Sequence, residues 1–275
     1  MPFADGHAVE IIAHRGASKE RPEQTRSAYA LALEQGADGL ECDVRLTLDQ
    51  IPVCVHDASM RRMAGIDRNV SQLTLAQLRD LDLAHGGPAG STDLPRDERG
   101  ILTLEEFCEL AVDAGRPLNL AVEMKHPSRF GGLVERATVM VLDRFGLRGR
   151  DSRGVETETA KRVTVRLMSF SQTALERLAK TAPDLDRVFL TDSGPLSWPW
   201  GRHLPGGAGI AGPSVRMLRT QPELIQSWQQ TGRKVHCWTA NAADDVTACV
   251  RARVDAIITD VPAQTLALVR SMATR

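Results

Sequence analysis

The sequence predicts an α/β fold, a parallel β/α barrel formed as one domain over residues 1–275. Short β-branched or apolar runs alternate with longer segments of helical spacing, which is the pattern of a parallel sheet covered by helices. A chain of 275 residues with 42% hydrophobic residues can also bury one large core, and α/β barrels reach this length as single domains.

Nine runs have the composition of strands, one more than an eight-stranded barrel needs. They are residues 10–13, 39–44, 52–55, 118–123, 163–168, 187–190, 208–211, 234–238 and 256–258. Residues 44 and 52 are too close for a crossover helix, since parallel neighbours need a dozen or more residues between them. The second and third runs are therefore predicted to form a hairpin.

The register of this hairpin depends on its loop. If residues 49–50 form a two-residue loop, Asp43 lies opposite His56. Gln50 is a poor residue for the positive φ that so tight a turn prefers, so a longer loop with a shifted register stays open.

The predicted helices occupy residues 24–35, 74–81, 104–114, 132–145, 172–181, 222–231, 243–252 and 263–272. The first is closed by Gly36. Residues 57–99 and 191–209 contain Gly and Pro and look irregular, so each is predicted to be an insertion beside the barrel mouth. Trp198 and Trp200, in the second, are interpreted as a loop anchor or a substrate-side lid.

The composition indicates which partners and which cellular compartment to expect. A formal net charge of -1, from 34 basic and 35 acidic residues, gives no reason to expect nucleic acid as a partner. The five cysteines contain no CxxC pair, which indicates a reducing compartment. We expect a cytoplasmic protein without stable membrane insertion, because neither a secretory start nor a run of ~20 apolar residues is present. The oligomeric state is left open.

The first predicted strand ends in Ala13-His14-Arg15-Gly16, at the edge where barrel enzymes assemble their active sites. His14 could move a proton near neutral pH, and Arg15 could clamp a phosphate with its planar donors. Taken alone, this segment is better explained by a structural histidine and a surface arginine.

Two acids alternate along the next strand. Glu41 and Asp43 project from one face, where they repel each other unless a cation or proton lies between them. Glu123 and Lys125 repeat the spacing on a later strand. Three carboxylates suit a hard cation, Mg²⁺ or Ca²⁺, while Lys125 could hold a substrate oxygen. The alternative is a solvated acidic face and a surface ion pair.

A second histidine, His56, follows another strand and precedes Asp57. Two histidines can share the work of general base and general acid. Each residue alone is more often structural. Together, four strand ends offer polar groups to one mouth, and burying so many charges without a function would be costly.

Ordered motifs along residues 10–265 resemble the glycerophosphodiester phosphodiesterase family, within the phospholipase-C-like phosphodiesterase superfamily. They are His14-Arg15-Gly16, Pro22-Glu23-Gln24-Thr25, Glu41-x-Asp43, Val55-His56-Asp57, Leu102-Thr103-Leu104-Glu105-Glu106, Glu123-x-Lys125, Ser169-Phe170, Trp238-Thr239 and Ile257-Ile258-Thr259-Asp260-x-Pro262. Gln24 stands where that family usually has Asn.

The resemblance implies a TIM-type (β/α)8 barrel, in which the small insertion predicted above at about residues 57–99 would follow the second and third strands. It implies a Mg²⁺ or Ca²⁺ site at Glu41, Asp43 and Glu123, with Glu23 nearby. The implied acid–base pair is His14 and His56; the implied substrate contacts are Arg15 and Lys125 on phosphate and Trp238 against glycerol. Ser169 and His236 are either pocket-lining or packing residues.

The expected activity is metal-dependent hydrolysis of small glycerophosphodiesters to sn-glycerol 3-phosphate and an alcohol. Two alternatives are a related phospholipase that acts on intact lipids and a barrel that binds a phosphodiester without turning it over. The head-group preference is left open.

Overall fold

The computed structural model describes residues 8–88, 90–148, 157–159, 161–192 and 203–274. Its ten strands, counted in those ranges, form one sheet. They are β1 (Glu10–His14), β2 (Gly39–Leu46), β3 (Pro52–Cys54), β4 (Leu102–Thr103), β5 (Leu118–Met124), β6 (Val163–Ser169), β7 (Asp186–Thr191), β8 (Ile210–Pro213), β9 (Lys234–Cys237) and β10 (Ala256–Thr259).

Eight parallel strands close into the predicted barrel. Their order around the ring is β1-β2-β5-β6-β7-β8-β9-β10, and β1 pairs with both β2 and β10. Strands β3 and β4 extend from β2 as an antiparallel branch. The predicted surplus strand, β3, is therefore confirmed as part of a hairpin, while the two-residue β4 carried too short a pattern to be predicted.

Helices surround the barrel. In the described ranges they are α1 (Arg26–Glu34), α2 (Arg61–Ala64), α3 (Leu75–Arg79), α4 (Leu104–Asp113), α5 (Leu133–Arg144), α6 (Gln172–Thr181), α7 (Val215–Thr220), α8 (Pro222–Gln230), α9 (Ala243–Arg251) and α10 (Pro262–Ala273). Each predicted helix is present within about two residues, and the short α2 and α7 were not predicted. Gly36, at φ 83°, ends α1 as expected. Among the described residues, every helix is too short or too polar to cross a membrane.

Alternation along the strands divides the core in two. Outward residues such as Cys42 and Val44 join the main core between sheet and helices. Inward residues form a smaller apolar layer inside the barrel, composed of Ile12, Ala121, Met168, Val188, Leu190, Ile210, Ala256 and Ile258. This layer supports the polar side chains at the carboxyl ends of the strands.

The β2–β3 hairpin has a register one residue away from the two-residue-loop prediction. Val44 pairs with Cys54, and the Val55 N–H donates to the Asp43 carbonyl at 2.8 Å. Val55 therefore lies opposite Asp43. The pairing of Asp43 with His56, which required a two-residue loop, is wrong, whereas the alternative of a longer loop with a shifted register is confirmed. His56 lies just beyond the ladder.

The cause of this shift is a three-residue loop. Two hydrogen bonds close the hairpin: the Thr47 N–H donates to the Ile51 carbonyl at 3.1 Å, and the Ile51 N–H donates to Thr47 Oγ1 at 2.9 Å. Gln50 takes the left-handed conformation at φ 64° in spite of its side chain. A loop of residues 48–50 displaces the opposing strand by one position.

The predicted insertion at residues 57–99 lies between β3 and β4. It contains α2, α3 and several short 3-10 turns around a separate apolar cluster, which we call the insertion core. The insertion core comprises Val53, Val55, Met60, Met63, Val70, Leu73, Leu78, Leu83 and Ile101. In the second irregular stretch, Trp198 and Trp200 lie outside the described residues.

Candidate active site

A cavity of about 180 Å³ opens at the carboxyl ends of the barrel strands. This is the end at which β/α barrels carry their active sites. Its lining residues are His14, Arg15, Glu41, His56, Glu123, Lys125, Met168, Phe170, Leu190, Trp238, Thr239 and Ile258. Strands far apart in sequence therefore bring most of the predicted site residues to one place.

Three buried carboxylates lie beside this cavity. Glu41 and Asp43 project from β2, and Asp43 is directly opposite Glu123 of β5 in the sheet. One oxygen from each of the three lies within 4.8 Å of the others. The predicted convergence of these acids is thus present in the structure.

Two cationic side chains partly neutralise the three acids. Arg15 Nε lies 3.0 Å from Asp43 Oδ2, and Lys125 Nζ lies 2.8 Å from Glu123 Oε1 and 3.3 Å from Asp43 Oδ1. The Arg15 backbone N–H also donates to Glu41 Oε2 at 3.0 Å. Two positive charges against three negative ones leave one negative charge in excess when all the carboxyl groups are ionised.

Burial and mutual repulsion perturb the ionisation of these acids. Burial, followed by the charge of Asp43, raises the pKa of Glu41 well above its usual range and that of Glu123 to about 8. Burial opposes the ionisation of Asp43 as well, but Arg15 and Lys125 outweigh it and lower the pKa of Asp43. The neighbouring cations are therefore too few to keep all three carboxyl groups ionised together.

The donor set suits a hard divalent cation. Carboxylate oxygens are the ligands that Mg²⁺ and Ca²⁺ prefer, and a spacing within 4.8 Å is compatible with either ion. Asp43 Oδ1 is buried and has no hydrogen-bond donor among the described residues, although Lys125 lies nearby. A further positive charge would relieve the repulsion that raises the pKa of Glu41 and Glu123.

His14 is held by a carboxylate that the sequence reasoning placed in a motif but gave no role. Its Nδ1 lies 2.6 Å from Asp260 Oδ1, and its Nε2 lies 4.0 Å from Glu41 Oε2. Asn241 and Ser18 donate to Asp260 at 2.6 and 3.1 Å. Burial opposes ionisation, but these bonds lower the pKa of Asp260 to about 2. An ionised Asp260 accepts a hydrogen bond from the His14 Nδ1–H group, so His14 Nε2 is left without a proton and faces the cavity.

His56 has a similar partner. Its Nδ1 lies 2.7 Å from Asp57 Oδ1, while Arg45 Nε donates to its backbone carbonyl at 2.9 Å. Burial, assisted by the charges of Arg15 and Lys125, lowers the pKa of His56 against the opposing effects of Asp43 and Asp57. At neutral pH His56 is therefore mainly in the form that can accept a proton.

Glu23 and Gln24 support the charged cluster from a loop before α1. Glu23 accepts from Arg15 Nη1 at 3.2 Å and from Arg62 at 2.7 and 2.9 Å. Gln24 uses both ends of its amide on Asp43, donating to Oδ2 at 2.8 Å and accepting the backbone N–H at 3.0 Å. Gln24, at the position where the family usually has Asn, is therefore bonded to Asp43 through both its amide nitrogen and its amide oxygen.

One wall of the cavity is apolar. The rings of Phe170 and Trp238 meet edge to face with centroids 5.4 Å apart, and Trp238 Nε1 donates to the Gly212 carbonyl at 2.7 Å. The Ser169 hydroxyl donates a hydrogen bond to the Met124 backbone carbonyl at 3.0 Å. His236 lies deeper in the barrel and does not line the cavity. Both are packing residues.

A β/α barrel with buried acids and carboxylate-paired histidines at its carboxyl mouth has the form of a barrel hydrolase. The sequence model of the glycerophosphoryl diester phosphodiesterase family matches residues 14–264. The chain belongs to this family, and is thus a phosphoric diester hydrolase.

Individual relatives carry the same family name, and a solved structure has the same fold. "Probable glycerophosphodiester phosphodiesterase 1" of Mycobacterium tuberculosis is 39% identical over 97% of this chain and 96% of its own. A glycerophosphodiester phosphodiesterase of Caldanaerobacter subterraneus is 30% identical over 94% and 97%. An Oleispira antarctica phosphodiesterase in complex with the product sn-glycerol-3-phosphate superposes with a TM-score of 0.77 at 23% identity, covering 95% of this chain and 96% of that one. The last similarity shows the fold.

Proposed function

We propose that this chain hydrolyses glycerophosphodiesters to sn-glycerol 3-phosphate and an alcohol, with Mg²⁺ or Ca²⁺ held by Glu41, Asp43 and Glu123. The observation that carries the proposal is the convergence of these buried carboxylates with His14 and His56 around one cavity. The product named for the Oleispira antarctica structure supports the substrate class.

Arg15 and Lys125 are proposed to bind the phosphate. Both already lie at the acidic cluster and line the cavity, so their donors are within reach of a phosphodiester's non-bridging oxygens. A divalent cation, when bound, supplies charge that offsets the negative charge developing on those oxygens. Trp238 and Phe170 offer an apolar surface for the carbon side of glycerol.

His14 and His56 are proposed to divide the proton transfers. One accepts the proton of the nucleophile, while the other donates a proton to the departing alcohol oxygen. In each histidine the Nδ1 atom is occupied by a carboxylate, at 2.6 Å for His14 and 2.7 Å for His56, so Nε2 is the working atom. The nucleophile is the 2-hydroxyl of the substrate's own glycerol, and water opens the resulting cyclic phosphate.

Purified protein incubated with glycerophosphocholine or glycerophosphoethanolamine should release glycerol 3-phosphate, stop on chelation, and recover with Mg²⁺ or Ca²⁺. His14→Ala and Glu41→Ala should lose ~100-fold or more in kcat/KM, and the matched control His85→Ala, at an exposed position, should not. Full activity in either site variant would remove the assigned role. A cyclic glycerol phosphate during turnover, observed by phosphorus NMR, would support the 2-hydroxyl route.

The alternative of a phospholipase acting on intact lipids requires an exposed apolar rim. Of the large hydrophobic side chains exposed in the described ranges, Phe170 borders the cavity, and it is 45% exposed. Co-sedimentation with lipid vesicles separates this alternative from the proposed one. A non-catalytic binding barrel is disfavoured because each predicted metal ligand and both histidines are present.

We further propose that residues 1–275 act as one domain in the cytoplasm. The five cysteines are unpaired and buried, which supports a reducing compartment. Cell fractionation tests the location, and a single thermal transition would support one domain.

A further inference from the structure

A second cavity, of about 170 Å³, adjoins the active site and shares Lys125 with it. It lies between the insertion and the loop that follows β5. Its lining residues are Arg45, Leu46, Ala58, Asn69, Ser71, Lys125, Pro127, Ser128, Arg129, Phe130 and Val134. The two cavities are therefore neighbours on either side of the Lys125 side chain.

The second cavity is basic. Arg45, Lys125 and Arg129 line it, and the described lining residues include no acid. Lys125 is already paired with Glu123 and Asp43, so the two arginines carry the remaining charge. Arg45 Nε donates to the His56 carbonyl at 2.9 Å and Arg129 Nη1 to the Ser71 carbonyl at 3.0 Å. These bonds fix both guanidinium groups through neutral acceptors, and neither forms an ion pair within the residues that the structure describes.

The size of the second cavity indicates part of a ligand. Pockets that enclose a whole drug-sized ligand begin at ~300 Å³, so about 170 Å³ accommodates a fragment. Asn69, Ser71 and Ser128 also line it, and Ser128 Oγ, which accepts from the Phe130 N–H at 3.2 Å, still has a proton to donate to a hydroxylated alcohol.

We propose that this cavity is the head-group subsite and that it selects alcohols bearing an additional negative charge, such as a phosphate or a carboxylate. The inference rests on the proposed function, because the head group is the alcohol that the hydrolysis releases. The Arg129 guanidinium, held by a neutral carbonyl, keeps its positive charge available to an anion, whereas Arg45 already faces Asp43, Glu123 and Asp57.

A cationic head group such as choline is disfavoured in the same cavity. Recognition of a quaternary ammonium group uses the open face of an aromatic ring. The ring that lines the cavity, Phe130, already has the Arg129 guanidinium over it, at 5.2 Å from the centroid. Choline would meet a cation at the position where it needs an aromatic surface.

The test compares kcat/KM for two matched pairs of substrates. Glycerophosphoinositol 4-phosphate is compared with glycerophosphoinositol, and glycerophosphoserine with glycerophosphoethanolamine; within each pair the members differ by one phosphate or one carboxylate. We expect the anionic member to be favoured roughly fivefold, the scale of a partly exposed charge pair, and less so at high salt.

Variants at Arg129 test whether this cavity causes the preference. Arg129→Gln should bring both ratios close to one, and Arg129→Glu should reverse them. Arg136→Gln is the matched control, because Arg136 is exposed on the neighbouring α5 and does not line the cavity. Arg45 is less suitable for substitution, since its bond to the His56 carbonyl also positions a proposed catalytic histidine.

The possible outcomes separate the two proposals. If the wild-type protein hydrolyses all four substrates with ratios near one, or if Arg129→Glu leaves the ratios unchanged, the subsite is wrong and the proposed function stands. If none of the four releases glycerol 3-phosphate, the proposed function is wrong and the subsite fails with it. If only one of the two substrate pairs shows a preference, the group by which its members differ, phosphate or carboxylate, is the anion that the subsite selects.

Discussion

At the scale of single residues, the contact between His14 and Asp260 determines how the first histidine can act. Asp260 lies after the last barrel strand and His14 ends the first, so closure of the barrel is what joins them. Three hydrogen-bond donors, from His14, Asn241 and Ser18, surround the Asp260 carboxylate. Such a partner fixes the tautomer and orientation of an imidazole ring.

Asp260→Asn should therefore lower kcat/KM by ~100-fold or more, because an amide in place of the carboxylate can hold the imidazole in the wrong tautomer. Ser18→Ala, which removes one weaker bond to the same carboxylate, should have a smaller effect. Full kcat/KM in a correctly folded Asp260→Asn protein would contradict this role.

Cation binding at the acidic cluster can be measured without activity. A ligand at a hundredfold excess over its Kd stabilises the folded protein by ~2.7 kcal/mol, which raises Tm by roughly 5 °C in a chain of this size. Mg²⁺ or Ca²⁺ should produce such a shift in the wild type and not in Glu123→Gln. A shift of equal size in Glu123→Gln would place the cation elsewhere, and Glu105→Gln, at an exposed acid, is the control.

At the scale of elements, the insertion completes the active site from outside the barrel. Arg62 of α2 donates to Glu23 before α1 and, through Nε at 2.6 Å, to Asp57 beside His56. The insertion core packs around Leu78 and is separate from the main core. The position of His56 therefore depends on an element that is stabilised by its own small set of contacts.

Two leucines, each completely buried, allow the insertion and the barrel to be tested separately. Leu78→Ala removes packing from the insertion core and Leu178→Ala removes it from α6 in the main core, each at a cost of about 2–5 kcal/mol. Leu178→Ala should lower the Tm of the whole protein. Leu78→Ala should expose residues 57–99 to limited proteolysis and reduce kcat/KM with a smaller change in Tm. Identical proteolysis patterns for the two variants would show that the insertion does not unfold separately.

At the scale of the whole molecule, the barrel interior has a polar floor beneath its apolar layer. Arg166 of β6 reaches across to Glu10 of β1, with two contacts of 2.5 and 3.0 Å. His236 of β9 is completely buried beside them, and both of its ring nitrogens are without hydrogen-bond partners in the described structure. Burial, followed by the charges of Arg166 and Lys234, lowers the pKa of His236 well below its usual value.

His236 should make the stability of the barrel pH-dependent. The folded state keeps it neutral, while the unfolded state takes up a proton as pH falls below about 6.5. The unfolded state then binds more protons, so stability is retained above that pH and is lost as pH falls, by up to ~1.4 kcal/mol per pH unit. Chemical denaturation between pH 7.5 and 5 should show a steeper loss in the wild type than in His236→Met. Parallel losses in the two proteins would exclude His236 as the cause.

The sequence by itself determined the barrel class, most helix positions and the identity of the residues around the site. Alternation was sufficient to place Glu41 and Asp43 on one face, because the period of a strand is fixed by its backbone. Helix ends were equally local; Thr103 and Glu106, for example, cap α4 through bonds across four residues. Such patterns are legible in sequence because their partners lie within a few positions.

Only the tertiary structure decided which of those residues meet and what surrounds them. The one-residue shift of the hairpin, the two-residue β4, the contact of Asp260 with His14 and the basic cavity beside Lys125 all depend on partners that are distant in the chain. Asp260 and His14 are 246 positions apart, and no local pattern encodes that pairing. Short-range geometry is set by neighbouring residues, whereas these contacts arise when the closed barrel brings its strand ends together.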